Sequence, residues 1–585
     1  MSVPAARSQP AASDVPRWLP RAPAWNSAYA LYGVAVALAL LIVSLLVVVI
    51  WSTFVAGQPR IGAALTLANY AEVFRSTLTA PGIVNSLLIG VGTVALNLAF
   101  ALPAAYLIQR TDLPWRNVFT TLMLVGVIIP GFLRAIGWIL LLSPQIGMIN
   151  QVLRIFIPVE SGPISIYNLG GIIFLQGLML TPLMFFAVAA AMQAMNPDLE
   201  EAAAVSGAHP LKTLLRITTP LMMPAVLAAV IYNFMTAIAI FEIPALIGGP
   251  GRVVTLATLM YSSIQANAGL PRYGMAGVYG VLLLVPTLVS LYVYQRMLQQ
   301  GDRYAVVTGK GYRPRIIPLG RWKTAAVLAL LGYFTLSLFL PFLVLVWASL
   351  LPYIQVPSAA ALQSVSLSAY GTVLQALDVK VLGNTVMLVV AVGVLVAAIS
   401  LATSWVVVRT RLPGRRLLDT AAMLPHATPS IALGFAVAFL ALALASVLPL
   451  YGSVAAIVLA HTVAFVSFGT RTANSALLQV HRELEEAAFT AGASAITALR
   501  RIILPLVAPA VLYTMLWVGL LSLREVTMAL FLQRPQNTVL STQIWNYWMS
   551  TKPAEAAALG TMLIVVVAAG FIVLLQVAGR QVYRR

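Results

Sequence analysis

LEEAAAVSGAHPLKTLLRITTP, residues 199–220, interrupts a chain that is otherwise strongly apolar. Two adjacent carboxylates open it, alanines follow, a glycine sits in the middle, and cations and a proline close it. The pattern returns at residues 484–505 as LEEAAFTAGASAITALRRIILP. Each copy is too polar to span a bilayer and too rich in alanine for a loop, so each reads as an amphipathic helix at a membrane surface. Gly207 and Gly492 supply the left-handed conformation that ends or turns a helix sharply. Pro220 and Pro505 are expected in the first turn of the next span, where a missing N–H costs little. The expectation is a short helical elbow, made twice.

The surrounding chain is a membrane protein. Of 585 residues, 61% are hydrophobic and only 9% charged, with a mean hydropathy of +0.94, whereas soluble domains carry roughly 25% charged residues. The formal charge of +19 sits mostly between apolar runs, a topology signal that argues against nucleic-acid binding. No cysteine is present, so disulfides and thiolate metal sites are excluded. Residues 1–28, with Arg7, Arg17 and Arg21, read as a basic tail. The apolar run behind it is too long for a cleaved signal and long enough to be retained as a span.

Apolar runs of about 20 residues must satisfy their own backbone hydrogen bonds in lipid and are therefore helices. Twelve are expected, near residues 29–55, 83–108, 118–142, 169–195, 219–247, 275–297, 324–350, 381–408, 417–446, 453–478, 504–530 and 556–579. Lysine and arginine concentrate on alternate connections, densest in RMLQQGDRYAVVTGKGYRPRIIPLGRWK at 296–323. The positive-inside rule then places both termini, this linker and both elbows in the cytoplasm.

The chain is also duplicated. RTDLPWRN at 110–117 matches RTRLPGRR at 409–416, and PLMMPAVL at 220 matches PLVAPAVL at 505. The spacing drops between the two matches, which points to an insertion in the first half, expected in the outside loop 143–168. An all-α membrane fold of two parallel six-helix repeats follows, because an even number of spans per repeat preserves orientation. The expected units are a tail at 1–28, a first half at 29–297, a basic linker at 298–323, a second half at 324–579 and a short tail at 580–585.

The elbow resembles the E-A-A, three residues, G, nine residues, I-x-x-P or I-x-L-P loop of permease subunits in type I ABC importers. The first copy matches at Glu201, Ala202, Ala203, Gly207, Ile217 and Pro220, with Thr219 in place of leucine. The second matches at Glu486, Ala487, Ala488, Gly492, Ile502, Leu504 and Pro505. The resemblance implies that each elbow is a coupling helix seated on one of two ABC ATPase subunits, with a substrate-binding protein on the outer face of a bacterial inner membrane. It covers nearly the whole chain, which is similar to the fused permeases of ferric-iron importers. The implied cargo is ferric iron, with thiamine, 2-aminoethylphosphonate or a polyamine as alternatives.

The chain itself is not expected to be an enzyme or to hold a cofactor. TGKGY at 308–312 lacks the earlier glycine and the hydroxyl residue of a phosphate loop, so ATP belongs to partner subunits. No G-x-S-x-G or H-E-x-x-H spacing supports a hydrolase. An ion-driven secondary transporter also fits twelve helices in two parallel repeats, but has no need of paired docking helices.

Ionisable residues inside spans are costly and mark candidate sites. Glu242 in FEIPAL and Glu525 in REVTMAL fall at corresponding places in the fifth helix of each half if a two-residue gap is allowed. Arg134 in GFLRAIGW and His426 in LPHATPS lie beside proline-interrupted stretches of the third helices. These four are the expected translocation-path residues, with structural struts as the alternative. Arg471 is expected to snorkel to the surface, and His461 to be a satisfied bundle residue. No close cluster of metal-ligating residues stands out.

Overall fold

The computed structural model describes residues 23–157, 162–195, 198–265, 270–299 and 316–582. Most of the N-terminal tail and the Thr308–Tyr312 run lie outside these residues. The described chain is almost wholly helical. Each of the twelve expected spans has a counterpart. Ten are continuous apolar helices, and two are helices broken at a proline.

The breaks fall in the proline-interrupted stretches of the third helix of each half. Arg116–Ile128 and Gly131–Leu142 meet at 96°, and the stretch Arg415–Ala427 meets Ser430–Ala443 at 105°. The cause is local: Ile129 and Thr428 precede Pro130 and Pro429 and take extended backbone, the conformation that a following proline ring imposes. The second limbs, Gly131–Leu142 and Ser430–Ala443, are buried on nearly every side, consistent with their all-round apolar sequence. A third bend of 86° joins Glu242–Gly251, which begins within the expected span 219–247, to Leu256–Ile264, which lies outside the twelve expected spans.

The halves interlock through their first helices. Pro23–Ser52 crosses to the second half, where the Tyr32 hydroxyl donates to the Pro413 carbonyl at 2.9 Å and Trp51 meets Phe439 edge-on. The reciprocal helix, Gly320–Ser349, lies on the first half: Phe334 stacks on Phe119 and the Tyr333 hydroxyl donates to Leu178 O at 3.1 Å. Gly137 permits the closest part of this approach, because a Cβ there would stand 2.7 Å from the Pro341 carbonyl oxygen.

The first half carries Met148–Phe156, a helix absent from the corresponding stretch Leu444–Leu450. It lies within the loop where the insertion was expected. Asn150 holds it there, its side-chain amide donating to the carbonyls of Leu142, Ser143 and Ile164.

Pro220 and Pro505 depart from expectation. The helix following each elbow begins earlier, at Pro210 or Ala495, and passes through a π-helical turn, Leu214–Thr218 or Leu499–Ile503, before reaching the proline. The ring would clash with the carbonyl four residues back in a regular α-helix. The wider π turn relieves that crowding and lets one helix continue through it. A third π turn, Thr335–Phe339, precedes Pro341 in the same way.

Candidate functional site

A cavity of about 450 Å³ lies between the halves, and the helix breaks build its walls. The break at 129–130 frees carbonyls at the C-terminal end of Arg116–Ile128, where the helix dipole favours cations. Arg134 turns back onto them, donating to Gly126 O at 2.9 Å and Ile129 O at 3.2 Å. Arg524, from the other half, donates to Val127 O. The opposite break presents His426, whose ring stacks on Tyr232 of the first half at 4.8 Å between centroids.

All four expected path residues, Arg134, Glu242, His426 and Glu525, line this cavity, together with Arg524, Tyr232 and Trp517. The lining thus holds two guanidinium groups and two carboxylates. Glu525 accepts from the backbone N–H groups of Thr527 at 3.1 Å and Met528 at 3.0 Å. Behind it the buried His461 stands 3.4 Å from the carboxylate through Nε2, while Nδ1 lies 2.6 Å from Ser522 Oγ. His461 is therefore partnered within the bundle, and Arg471 is exposed with Asp419 3.6 Å away.

The pairing of Glu242 with Glu525 requires correction. The fifth helices end at Ala239 and Arg524, and after two residues the next helices start at Glu242 and Thr527. No gap is needed, so Thr527 is the repeat counterpart of Glu242, and both carboxylates sit just beyond the fifth helix. Thr527 Oγ1 donates to Glu242 Oε2 at 3.3 Å.

The elbows are built alike. Asp198–Val205 and Glu483–Thr490 are the surface helices. Gly207 and Gly492 follow with φ of +77° and +82°. The Ala208 N–H reaches back to Ala203 O, and the Ala493 N–H to Ala488 O, each at 2.9 Å. These bonds close the helix ends in the manner of a Schellman turn. A Cβ at either glycine would meet nothing within 4 Å, so the backbone alone calls for glycine.

The two adjacent glutamates separate. Glu486 is exposed and Glu201 half-buried, whereas Glu200 and Glu485 turn inward. Glu200 lies 3.1 Å from Arg110 Nε, and Glu485 lies 2.9 Å from Arg409 Nε. Neither Nε–H is aligned for a hydrogen bond, so the attraction is coulombic. Burial pushes the Glu485 carboxyl above the usual carboxylate range, while Arg409 pulls it back. The inward ion pairs were not anticipated, although the matched arginines of RTDLPWRN and RTRLPGRR were their visible signal.

The family model described as "Binding-protein-dependent transport system inner membrane component" matches residues 99–303 and again 390–582. Among known proteins, a ferric transport system permease protein of Actinobacillus pleuropneumoniae is 25% identical over 82% of this chain and 68% of its own length. A putative ferric transport system permease protein of Haemophilus influenzae is 25% identical over 80% of this chain and 71% of its own. A spermidine/putrescine transport system permease protein of the same species is 27% identical over 39% of this chain and 78% of its own. With both halves matched, this chain belongs to the family of binding-protein-dependent transport system inner membrane components and is an ABC importer permease.

Proposed function

We propose that this permease carries ferric iron handed over by a binding protein, through the cavity lined by Arg134, Glu242, His426 and Glu525. Two ATPase subunits seat on the elbows from the cytoplasm and drive the halves between inward- and outward-open forms. The supporting observation is the pair of matched helix-glycine-helix elbows, on which Glu486 is exposed and Glu201 half-buried, carboxylates suited to basic groups of a partner. Iron is favoured over the other cargoes because the ferric relatives align across both halves of a single chain. The polyamine relative aligns over little more than one third of it, which keeps polyamines as the second reading.

A lining of two cations and two anions suits transit, since no single charge sign dominates. Among the described residues, no group of three or more His, Cys, Asp and Glu side chains is placed to hold a metal ion. On this reading the binding protein holds the ion, and the permease offers a transient route.

The test is reconstitution with the ATPase subunits and the binding protein. Labelled ferric iron is expected to accumulate with ATP, and thiamine, 2-aminoethylphosphonate and spermidine are not. Glu201→Lys with Glu486→Lys is expected to weaken ATPase association and uptake while membrane insertion is unaffected. Undiminished transport in that double variant removes the docking role, and transport driven by an ion gradient without ATP removes the importer mechanism.

A further inference from the structure

The two inward ion pairs lie at equivalent places, and each ties three elements together. Arg110 ends the helix Thr79–Arg110, and Arg409 ends Val379–Arg409. Besides facing the elbow glutamate, Arg110 donates through NH2 to Met192 O at 2.7 Å, at the end of Leu169–Ala194. Arg409 donates in the same way to Leu477 O at 2.8 Å and Val480 O at 2.6 Å, at the end of Val454–Leu478. One guanidinium thus satisfies the open carbonyls of one helix, terminates a second and grips the elbow. The groups are buried: in the second copy both side chains are 5% exposed.

The two copies differ around this shared core. The free oxygen of Glu200 accepts from Thr218 Oγ1 at 2.7 Å, whereas that of Glu485 accepts from the Trp405 indole N–H at 3.1 Å. The arginine–glutamate contact persists in both halves while its supports change. That pattern fits a mechanical requirement shared by the halves better than local packing, which has drifted between them.

The elbow needs such a tie. Its outer helix is eight residues long and leads into the following span through a glycine with open space where a side chain would project. A push on this helix alone can be absorbed by rotation at Gly207 or Gly492.

We propose that Arg110 and Arg409 are positioning residues which, through Glu200 and Glu485, lock each elbow to the second and fourth helices of its own half, so that elbow displacement moves those helices. This rests on the elbows being the ATPase docking elements. It divides the glutamate pairs into an inward strut, Glu200 and Glu485, and an outward contact, Glu201 and Glu486.

The test compares the Glu200→Gln, Glu485→Gln double variant with the wild type in the full transporter. The amide keeps an oxygen for Thr218 and Trp405 but removes the charge. The ATPase subunits are expected to co-purify as before and to hydrolyse ATP, while substrate moved per ATP falls at least tenfold. Unchanged transport per ATP overturns the strut. Loss of ATPase binding also overturns it, by placing these glutamates on the docking surface.

A second measurement needs no partner subunit. Because the chain has no cysteine, spin labels can be placed at exposed Thr490 on the elbow and exposed Leu417 beyond Arg409. A narrow distance distribution is expected, broadening in Glu485→Gln and restored in Glu485→Asp. Equally narrow distributions in all three overturn the proposal. If the wild type shows no ATP-driven uptake, the docking reading fails by itself, and these distances still decide whether the pair fixes the elbow.

Discussion

Thr527 Oγ1 donates to Glu242 Oε2 at 3.3 Å, and the two residues occupy the same position in the two repeats. Repeat-related residues touch each other only where a pseudo-twofold axis passes close by, as in an isologous contact. This bond marks where the halves meet at the cavity, beside the contact of Arg524 with Val127 O.

A bond across that boundary belongs to one arrangement of the halves. A hydrogen bond contributes about 0.5–1.5 kcal/mol net, enough to shift the balance between two arrangements roughly two- to tenfold. Thr527→Val and Glu242→Gln are therefore expected to change basal ATP turnover in the same direction, with the double variant no worse than either single one. Additive effects or wild-type turnover would assign the two residues to separate, structural roles.

The glycines of the elbows make a second case. With φ near +80° and open space where a Cβ would project, alanine brings only the left-handed backbone cost, about 1–2 kcal/mol. Gly492→Ala is expected to speed hydrogen exchange of the Ala493 amide about tenfold, because that amide closes the helix end on Ala488 O. No change in exchange would mean that the turn does not depend on the left-handed residue.

The linker supplies a pH dependence. Ile317 donates to Arg110 O at 2.9 Å and accepts from the Asp112 amide, while Asp112 takes the Leu319 N–H at 2.9 Å and faces Lys323 Nζ at 2.8 Å. The Lys323 ammonium, helped by the Leu319 amide, holds the Asp112 carboxyl below its usual range. A depressed carboxylate stabilises the fold above its unfolded pKa, about 3.9 for an ordinary Asp, and loses that contribution as pH falls through the lower folded value. Protection of the Leu319 amide is expected to survive mild acidification and to drop only below the ordinary range. Asp112→Asn should abolish this pH dependence, and a loss at near-neutral pH in the wild type would contradict the clasp.

The local features were legible in the chain. The spans, the duplication, the helix-breaking prolines and the left-handed glycines each follow from composition, repeat or the conformational limits of one residue type. Arg134, His426, Glu242 and Glu525 could be singled out because ionisable groups in an apolar run are rare. That they share one path was expected from the family resemblance, and the bends at 129–130 and 428–429 are what bring these distant segments together around one cavity.

What the tertiary structure alone decided is the direction in which equivalent letters face. Neighbouring residues on a helix point about 100° apart, so two adjacent glutamates must diverge, but only the presence of Arg110 and Arg409 makes Glu200 and Glu485 the inward members. The crossing of each first helix onto the opposite half has the same origin. An apolar face specifies that it will be buried, while the choice of partner rests on long-range shape, such as the approach that Gly137 leaves open to Pro341.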